Sequence, residues 1–272
     1  AGFFRLLQYN TAISHSGNPL MIARDQLVKF LNTELQSEKI RDYCPNGLQV
    51  EGKAHISRLV TGVTASQALL DAAVAADADA ILVHHGYFWK NENAPVTGIK
   101  KKRLQTLLCH DINLLAYHLP LDVHPSLGNN AQLGLLLKAQ NITAVANVEP
   151  NGVLMQGELT QAMGVQQLAE DLEQTLGRQV LLHAAGSHAV SKLAWCTGGG
   201  QGYIEQAAAA GAQLFISGEV SEQTIHLSRE LGIHFIAAGH HATERYGVKA
   251  LGELIAQQFG LDVQFIDIDN PA

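Results

Sequence analysis

The sequence predicts an α/β protein with mainly parallel sheets, arranged as two related halves. Three observations carry this expectation. Short apolar strands without polar alternation alternate with Ala- and Leu-rich helical stretches, which is the pattern of strands covered on both faces. A segment near residue 60 can be laid on one near residue 196. The chemically distinctive side chains fall at strand ends, where open parallel sheets bind ligands.

In chain order, residues 1–20 (AGFFRLLQYNTAISHSGNPL) lack a basic start, a long apolar run and a small-residue cleavage site. They do not read as a secretory signal but as a leader, a tag or a misassigned start, outside the fold. From Met21 to Leu35, the apolar residues Ile22, Leu27, Phe30, Leu31 and Leu35 form a helical stripe. Pro45-Asn46-Gly47, within DYCPNGLQVEG (42–52), marks a turn. RLVTGVT (58–64) reads as a strand, 66–76 as a helix, AILVHHG (80–86) as a strand, 98–110 as a helix and INLLAYH (112–118) as a strand. These make a first α/β half, 21–125. Residues 126–190, where Gly152, Gly157, Gly164, Gly177 and Gly186 separate short periodic pieces, are expected to form a connecting segment. The rhythm resumes in a second half, 191–272. There LAWCTG (193–198), LFISGE (214–219), HFIAAGHH (234–241) and DVQFIDI (262–268) read as strands, and 201–210, 221–231 and 243–259 as helices.

The halves resemble each other. VTGVTASQALLDAAVAADADAILVHHG (60–86) matches CTGGGQGYIEQAAAAGAQLFISGE (196–219), and INLLAYHLPLD (112–122) matches IHFIAAGHHATE (233–244). The second pair ends in His118 and Asp122, then His240 and Glu244, each a histidine four residues before an acid. We read this as an internal duplication.

Composition excludes several classes. A net charge of -7 with 47% hydrophobic residues is that of a globular chain. The 18 Lys and Arg residues are scattered, so extended binding to duplex DNA is not expected. The nearest basic cluster, Lys100 to Arg103, reads as a solvated helix face. Three cysteines (Cys44, Cys109 and Cys196) without a CxxC pair argue against a disulfide framework or a thiolate zinc site, and fit a reducing cytoplasm. Cys196, in an apolar strand, reads as core. No apolar run approaches the ~18 residues of a membrane span. TGGGQGY (197–203) lacks the pattern of a P-loop or dinucleotide fingerprint and reads as a tight turn beside a crowded site. No GxSxG serine-nucleophile motif occurs.

Four strand ends carry histidine and carboxylate: His84 and His85; His118 and Asp122; Glu219 and Glu222; His240, His241 and Glu244. Imidazole nitrogen and carboxylate oxygen suit zinc, iron or manganese. Adjacent histidines on a strand face opposite ways. His84 and His85 therefore either serve different ions or meet through a twist aided by Gly86. His-x-x-x-Glu at 240–244 shares one face once a helix has begun. His118, His124 and His241 are candidates for orienting or substrate roles.

DYCPNGLQVEG, TGVTASQALLDAA, ILVHHG, YHLPLD, GNNAQL, CTGGGQG, SGEVSEQTIH and GHHATE together resemble the NIF-three-like family, also known as GTP cyclohydrolase 1 type 2 homologs. The resemblance covers 21–272 in order and leaves 1–20 unmatched. It implies two interlocked α/β domains with mainly parallel sheets, and a ring-shaped hexamer (a trimer of dimers) with interior sites. It also implies a dinuclear centre of two divalent ions per chain, which could be zinc, iron, manganese, nickel or magnesium. Carried over by motif, the ligands are His84, His85, Asp122, His240 and Glu244, with Asp122 and Glu244 as bridging candidates; His241 is not carried over. Larger members hold an inserted domain that 126–190 is too short to contain. The function implied is a metal-dependent hydrolase acting on a nucleotide or related heterocycle, with His118 or Glu219 as general acid or base. The alternative is a non-enzymatic metal-binding or regulatory ring.

Overall fold

The computed structural model describes residues 20–272; apart from Leu20, the expectation for 1–20 lies outside them. The elements are β1 (Ile22–Ala23), α1 (Arg24–Glu34), β2 (Gly47–Val50), β3 (His55–Ile56), β4 (Arg58–Thr64), α2 (Gln67–Ala75), β5 (Ala80–His85), α3 (Gly98–Cys109) and β6 (Asn113–Ala116). They continue with α4 (Leu119–Asp122), α5 (Asn129–Leu136), β7 (Gln140–Ala144), β8 (Met155–Met163), α6 (Val165–Leu176), β9 (Leu181–His183) and β10 (Val190–Cys196). The chain ends with α7 (Ile204–Ala209), β11 (Leu214–Ser217), α8 (Glu222–Leu231), β12 (His234–Ala237), α9 (His240–Phe259) and β13 (Asp262–Phe265).

Two sheets dominate. The first runs β13-β4-β5-β6-β2, parallel except for β2. The second runs β7-β8-β10-β11-β12-β9, with β10, β11 and β12 parallel and the others antiparallel. The apolar runs explain the layering. In β5, Ala80 and Leu82 join one core while Ile81 and Val83 join another on the opposite face, and all four are fully buried. Helices α2 and α3 cover one face of the first sheet, through Leu69, Leu70 and Leu107. Its other face is covered by α1 and α9, through Leu27, Leu31, Val248 and Leu251.

The second sheet repeats this plan with α7 and α8 on one face and α6 with α5 on the other. The covering helices are exchanged. Helix α5 follows β6 of the first sheet but packs Leu133 into the second sheet's core. Helix α9 follows β12 of the second sheet but packs on the first, and β13 then joins that sheet beside β4.

Duplicate hydrogen bonds mark the repeats. Asp79 Oδ2 accepts from Ser57 N, Ser57 Oγ and Arg58 N at 2.9–3.0 Å. Gln213 Oε1 accepts from Ser191 N, Ser191 Oγ and Lys192 N at 2.8–3.0 Å. Arg58 donates to Ala76 O, and Lys192 donates to Ala210 O. These staples align α1-β2-β4-α2-β5-α3-β6 with α6-β9-β10-α7-β11-α8-β12.

Three expectations change. Residues 126–190 supply α5, β7, β8, α6 and β9, so they build the second sheet and open the second repeat rather than merely connecting the halves. Within 191–272, the last strand belongs to the first sheet. The His-x-x-x-acid pairs are also out of step. Asn113 and His234 hold equivalent register positions, which sets His118 against Gly239, one residue before His240. Gly239, at φ 99°, turns the chain after β12 so that α9 begins at His240, earlier than its apolar pattern suggests.

Candidate metal centre

The carboxyl ends of β5, β6, β10 and β12 converge where α4 and α9 begin. His84 and His85 end β5, Asp122 ends α4, and His240 and Glu244 lie one turn apart on α9. These five residues come together in two groups that share Glu244. One is His84, Asp122 and Glu244; the other is His85, His240 and Glu244; within each, the ligating atoms lie within 4.8 Å of one another. His84 Nε2 is 3.5 Å from both Asp122 Oδ1 and Glu244 Oε1. His85 Nε2 and His240 Nε2 are each 3.2 Å from Glu244 Oε2. Glu244 thus reaches both groups, whereas Asp122 belongs to one.

Every histidine here is held through its other nitrogen. His84 Nδ1 donates to Tyr117 O at 3.0 Å. His85 Nδ1 meets Thr64 Oγ1 at 3.1 Å. His240 Nδ1 donates to Glu219 Oε1 at 2.7 Å, and His118 Nδ1 to Asp42 Oδ1 at 2.9 Å. A carbonyl or carboxylate partner requires a proton on Nδ1, which leaves Nε2 to offer its lone pair to the centre. Asp122 is fixed in turn by Asn129 Nδ2 at 2.9 Å.

The residues fit a bound cation. His84 Nε2 and Glu244 Oε2 are buried and lack a hydrogen bond of good geometry, a costly state unless another ligand completes it. Gly198, at φ 62°, adds a shape argument. A Cβ there would collide with Glu244 Oε1 and stand 3.1 Å from His240 Nε2. The Gly-rich turn is therefore the wall of the site, as its crowding suggested.

The electrostatics point the same way. Burial alone would lower the His84 pKa, but the Asp122 and Glu244 carboxylates outweigh it and raise it to about 9. His240 is likewise lifted to about 9 by Glu244 and Glu219 against its burial. His85 is driven down to about 3 by burial and by the neighbouring histidines, despite Glu244. Burial pushes Glu244 upward, yet the surrounding imidazoles hold it well below the usual carboxylate range. Asp122 moves upward, by burial and by the Glu244 charge. Protons thus stand in for positive charge among crowded carboxylates.

Other expected residues divide. His118 joins His84 and His85 in a third group whose ligating atoms lie within 4.8 Å of one another, its ring 5.0 Å from that of His84. Glu219 sits behind His240, its Oε1 accepting from His240 Nδ1. His241 turns to Asp267 at 2.7 Å, His124 lies 3.7 Å from Glu34, and Glu222 is almost fully exposed; none of the three joins the cluster. Sequence reasoning missed Asp42, Asn129 and Gly198 as site residues. Asp42 also accepts from Leu119 N and Asn46 Nδ2, so DYCPN clamps the start of α4. Asp42, Cys44 and His118 form a further close group, in which burial and Asp42 push the Cys44 thiol up to about 12. Cys196 is buried core, as expected.

Fold and site together define a duplicated α/β protein whose strand ends meet in a buried histidine–carboxylate cluster able to hold metal ions. The chain belongs to the Duf34/NIF3 (NGG1p interacting factor 3) family, whose description matches residues 22–271. It is 60% identical over 248 residues to the GTP cyclohydrolase 1 type 2 homolog of Yersinia pestis, covering 91% of this chain and 98% of that one. The Escherichia coli K12 protein of the same name is 55% identical over the same shares. Among solved structures, protein ybgI, described as of unknown function, is 54% identical with a TM-score of 0.87, covering 92% of this chain and all of that one. TTHA1606 of Thermus thermophilus is 35% identical with a TM-score of 0.85, over the same shares. Among the described residues, no helix is long and apolar enough to cross a membrane.

Proposed function

We propose that this chain binds two divalent metal ions and uses them to hydrolyse a nucleotide or a related heterocycle. The observation that carries the proposal is the pair of groups sharing Glu244, with His84 Nε2 and Glu244 Oε2 buried and lacking a hydrogen bond of good geometry. His84, Asp122 and Glu244 would hold one ion; His85, His240 and Glu244 the other. Two such ions supply Lewis acidity toward a carbonyl or phosphoryl oxygen and acidify water. The substrate class rests on the name of the relatives, GTP cyclohydrolase 1 type 2 homolog.

The chain's own residues have separable tasks. His118, anchored by Asp42, points its Nε2 toward His84 and His85 and is the candidate general acid or base. Burial would raise Asp42, but the His118 hydrogen bond and charge, with Asn46 and Leu119, bring it down to about 2. It therefore stays ionised and orients the imidazole. Glu219 orients His240. Trp89, its ring 5.0 Å from His118, walls the approach.

The test is metal analysis of protein purified without added metal, followed by a hydrolysis screen across nucleotides. The parent should carry two ions per chain, and Asp122→Ala should lose at least one. An Asp122→Ala protein that keeps both overturns the ligand set. Two tightly held ions with no turnover on any nucleotide would favour the non-enzymatic ring instead. A cytoplasmic hexamer, a trimer of dimers, is part of the same proposal; light scattering on the purified chain measures its mass.

A further inference from the structure

Beside the cluster lies a cavity of about 270 Å³, lined by Gly86, Tyr87, Trp89, Glu92, Lys100 and Arg103. Gly86 follows His85 directly. The Trp89 ring lies 6.1 Å from that of His85 and 5.0 Å from that of His118. One indole thus separates the cavity from the histidines. The sequence suggested that Lys100 to Arg103 is a solvated face. Lys101 and Lys102 are indeed exposed, but Lys100 and Arg103 turn into this cavity.

The charges in the cavity do not cancel. Glu92 is fully used: Oε2 accepts from Phe88 N and Trp89 N, at 2.6 and 3.1 Å, and Oε1 pairs with Lys100 Nζ at 3.0 Å. This closes the turn that holds Phe88 at φ 65° and neutralises Lys100, which also donates to Asn93 O. Arg103 remains. Its guanidinium lies 5.9 Å from the centre of the Tyr87 ring. Its buried Nε has no hydrogen-bond partner, and no carboxylate pairs with it among the described residues. A half-buried guanidinium with an aromatic wall and no counter-ion is built to receive an oxyanion, and its planar fork suits phosphate.

We propose that the cavity lined by Trp89 and Arg103 binds the phosphate-type oxyanion of a small planar substrate. The substrate would reach over Trp89 to the histidine–carboxylate cluster. This extension rests on the metal-hydrolase reading, whereas oxyanion binding at Arg103 does not. The cavity lies below the size of drug-binding pockets, which begin at about 300 Å³. It suits one charged group, leaving the rest of the molecule on the Trp89 side.

The test is calorimetric titration of the whole chain, chelator-treated, with inorganic phosphate and with phenyl phosphate. Both probes should bind, and Arg103→Gln should weaken both roughly tenfold, while Arg103→Lys, which keeps the charge but loses the planar fork, should fall between the two. Phenyl phosphate binding at least fivefold more tightly than phosphate, with Trp89→Ala removing the difference, identifies a planar phosphate ester as the occupant. Equal binding of the two, with the Arg103→Gln loss intact, keeps the oxyanion site but overturns the planar substrate. Unchanged binding in Arg103→Gln overturns the site itself. If Arg103→Gln loses its melting transition, Arg103→Lys and Trp89→Ala decide: phenyl phosphate affinity unaltered by both overturns the proposal. Zinc at saturation should tighten phenyl phosphate in the parent. An unchanged affinity there refutes the span to the metal cluster and leaves the Arg103 site standing.

Discussion

At the scale of single residues, the site depends on space as much as on ligands. A side chain at Gly198 would occupy the volume of Glu244 Oε1, and its positive φ disfavours any replacement. Gly198→Ala should therefore weaken metal binding by about tenfold or more, the range seen when the partners that orient ligands are lost; competition with a chelating dye measures it. Asp42→Asn should lower turnover by roughly 10²-fold or more if His118 moves protons, with little change in metal content; kinetics and metal analysis on the same preparation separate the two. The pH dependence has a definite sign. His84 and His240 keep their protons up to about pH 9 in the metal-free protein, and ligation requires them neutral. Metal binding near pH 7 should therefore release protons, and affinity should rise as pH approaches 9. Titration in buffers of different ionisation enthalpy counts the protons.

The histidines and glutamate of the cluster were legible because HHG and GHHATE stand at strand ends in plain succession. Asp42 was not, because it lies 76 residues from His118 in a segment whose evident signal is a turn. Asn129 was hidden likewise: its bond to Asp122 arises only once α5 packs beside α4 and α9.

At the scale of elements, the two staples do one task with different chemistry. Asp79 and Gln213 each hold the backbone entering a central strand, one with a carboxylate and one with a neutral amide. Asp79→Ala would strand two backbone donors and should cost roughly 2–4 kcal/mol. Asp79→Asn, which keeps an acceptor as Gln213 does, should cost about 1 kcal/mol. Burial would raise Asp79, but Lys53 and the bonds from Ser57 and Arg58 bring it from 3.8 down to about 2. Its contribution is complete above pH 3.8 and is lost as pH falls through about 2. Urea denaturation at several pH values should show the parent losing this margin between pH 4 and 2, and Asp79→Asn keeping a flatter profile. The central strands could be read from their unbroken apolar runs. The edge strands β7 and β9, and β8 beside β7, could not, because runs such as MQGELTQAM and QNITA are half exposed, and their alternation is blurred by polar residues on both faces.

At the scale of the molecule, the exchange of α5 and α9 ties the sheets together. Neither sheet keeps its full cover without a helix from the other half. Thermal unfolding of the metal-free chain should therefore give one cooperative transition rather than two, and calorimetry distinguishes them. The cluster's residues also come from both halves, so a cation held there would brace the exchange. At a hundred times its Kd, one ion adds about 2.7 kcal/mol, which for a chain of this size raises Tm by roughly 5–10 °C. Differential scanning calorimetry before and after chelation measures it.

The equivalence of the repeats has one further consequence. The staple register sets His84 and His85 opposite Gly218 and Glu219. Where one copy presents two imidazoles, the other presents a bare backbone and an orienting carboxylate. A side chain at Gly218 would meet Gly198 O and the His240 backbone, so a second pair of histidines there would close the site rather than double it. Two identical copies related by symmetry would have to be alike at this position. Joined in one chain, they are free to differ: one copy presents the imidazoles, and the other leaves the space they occupy.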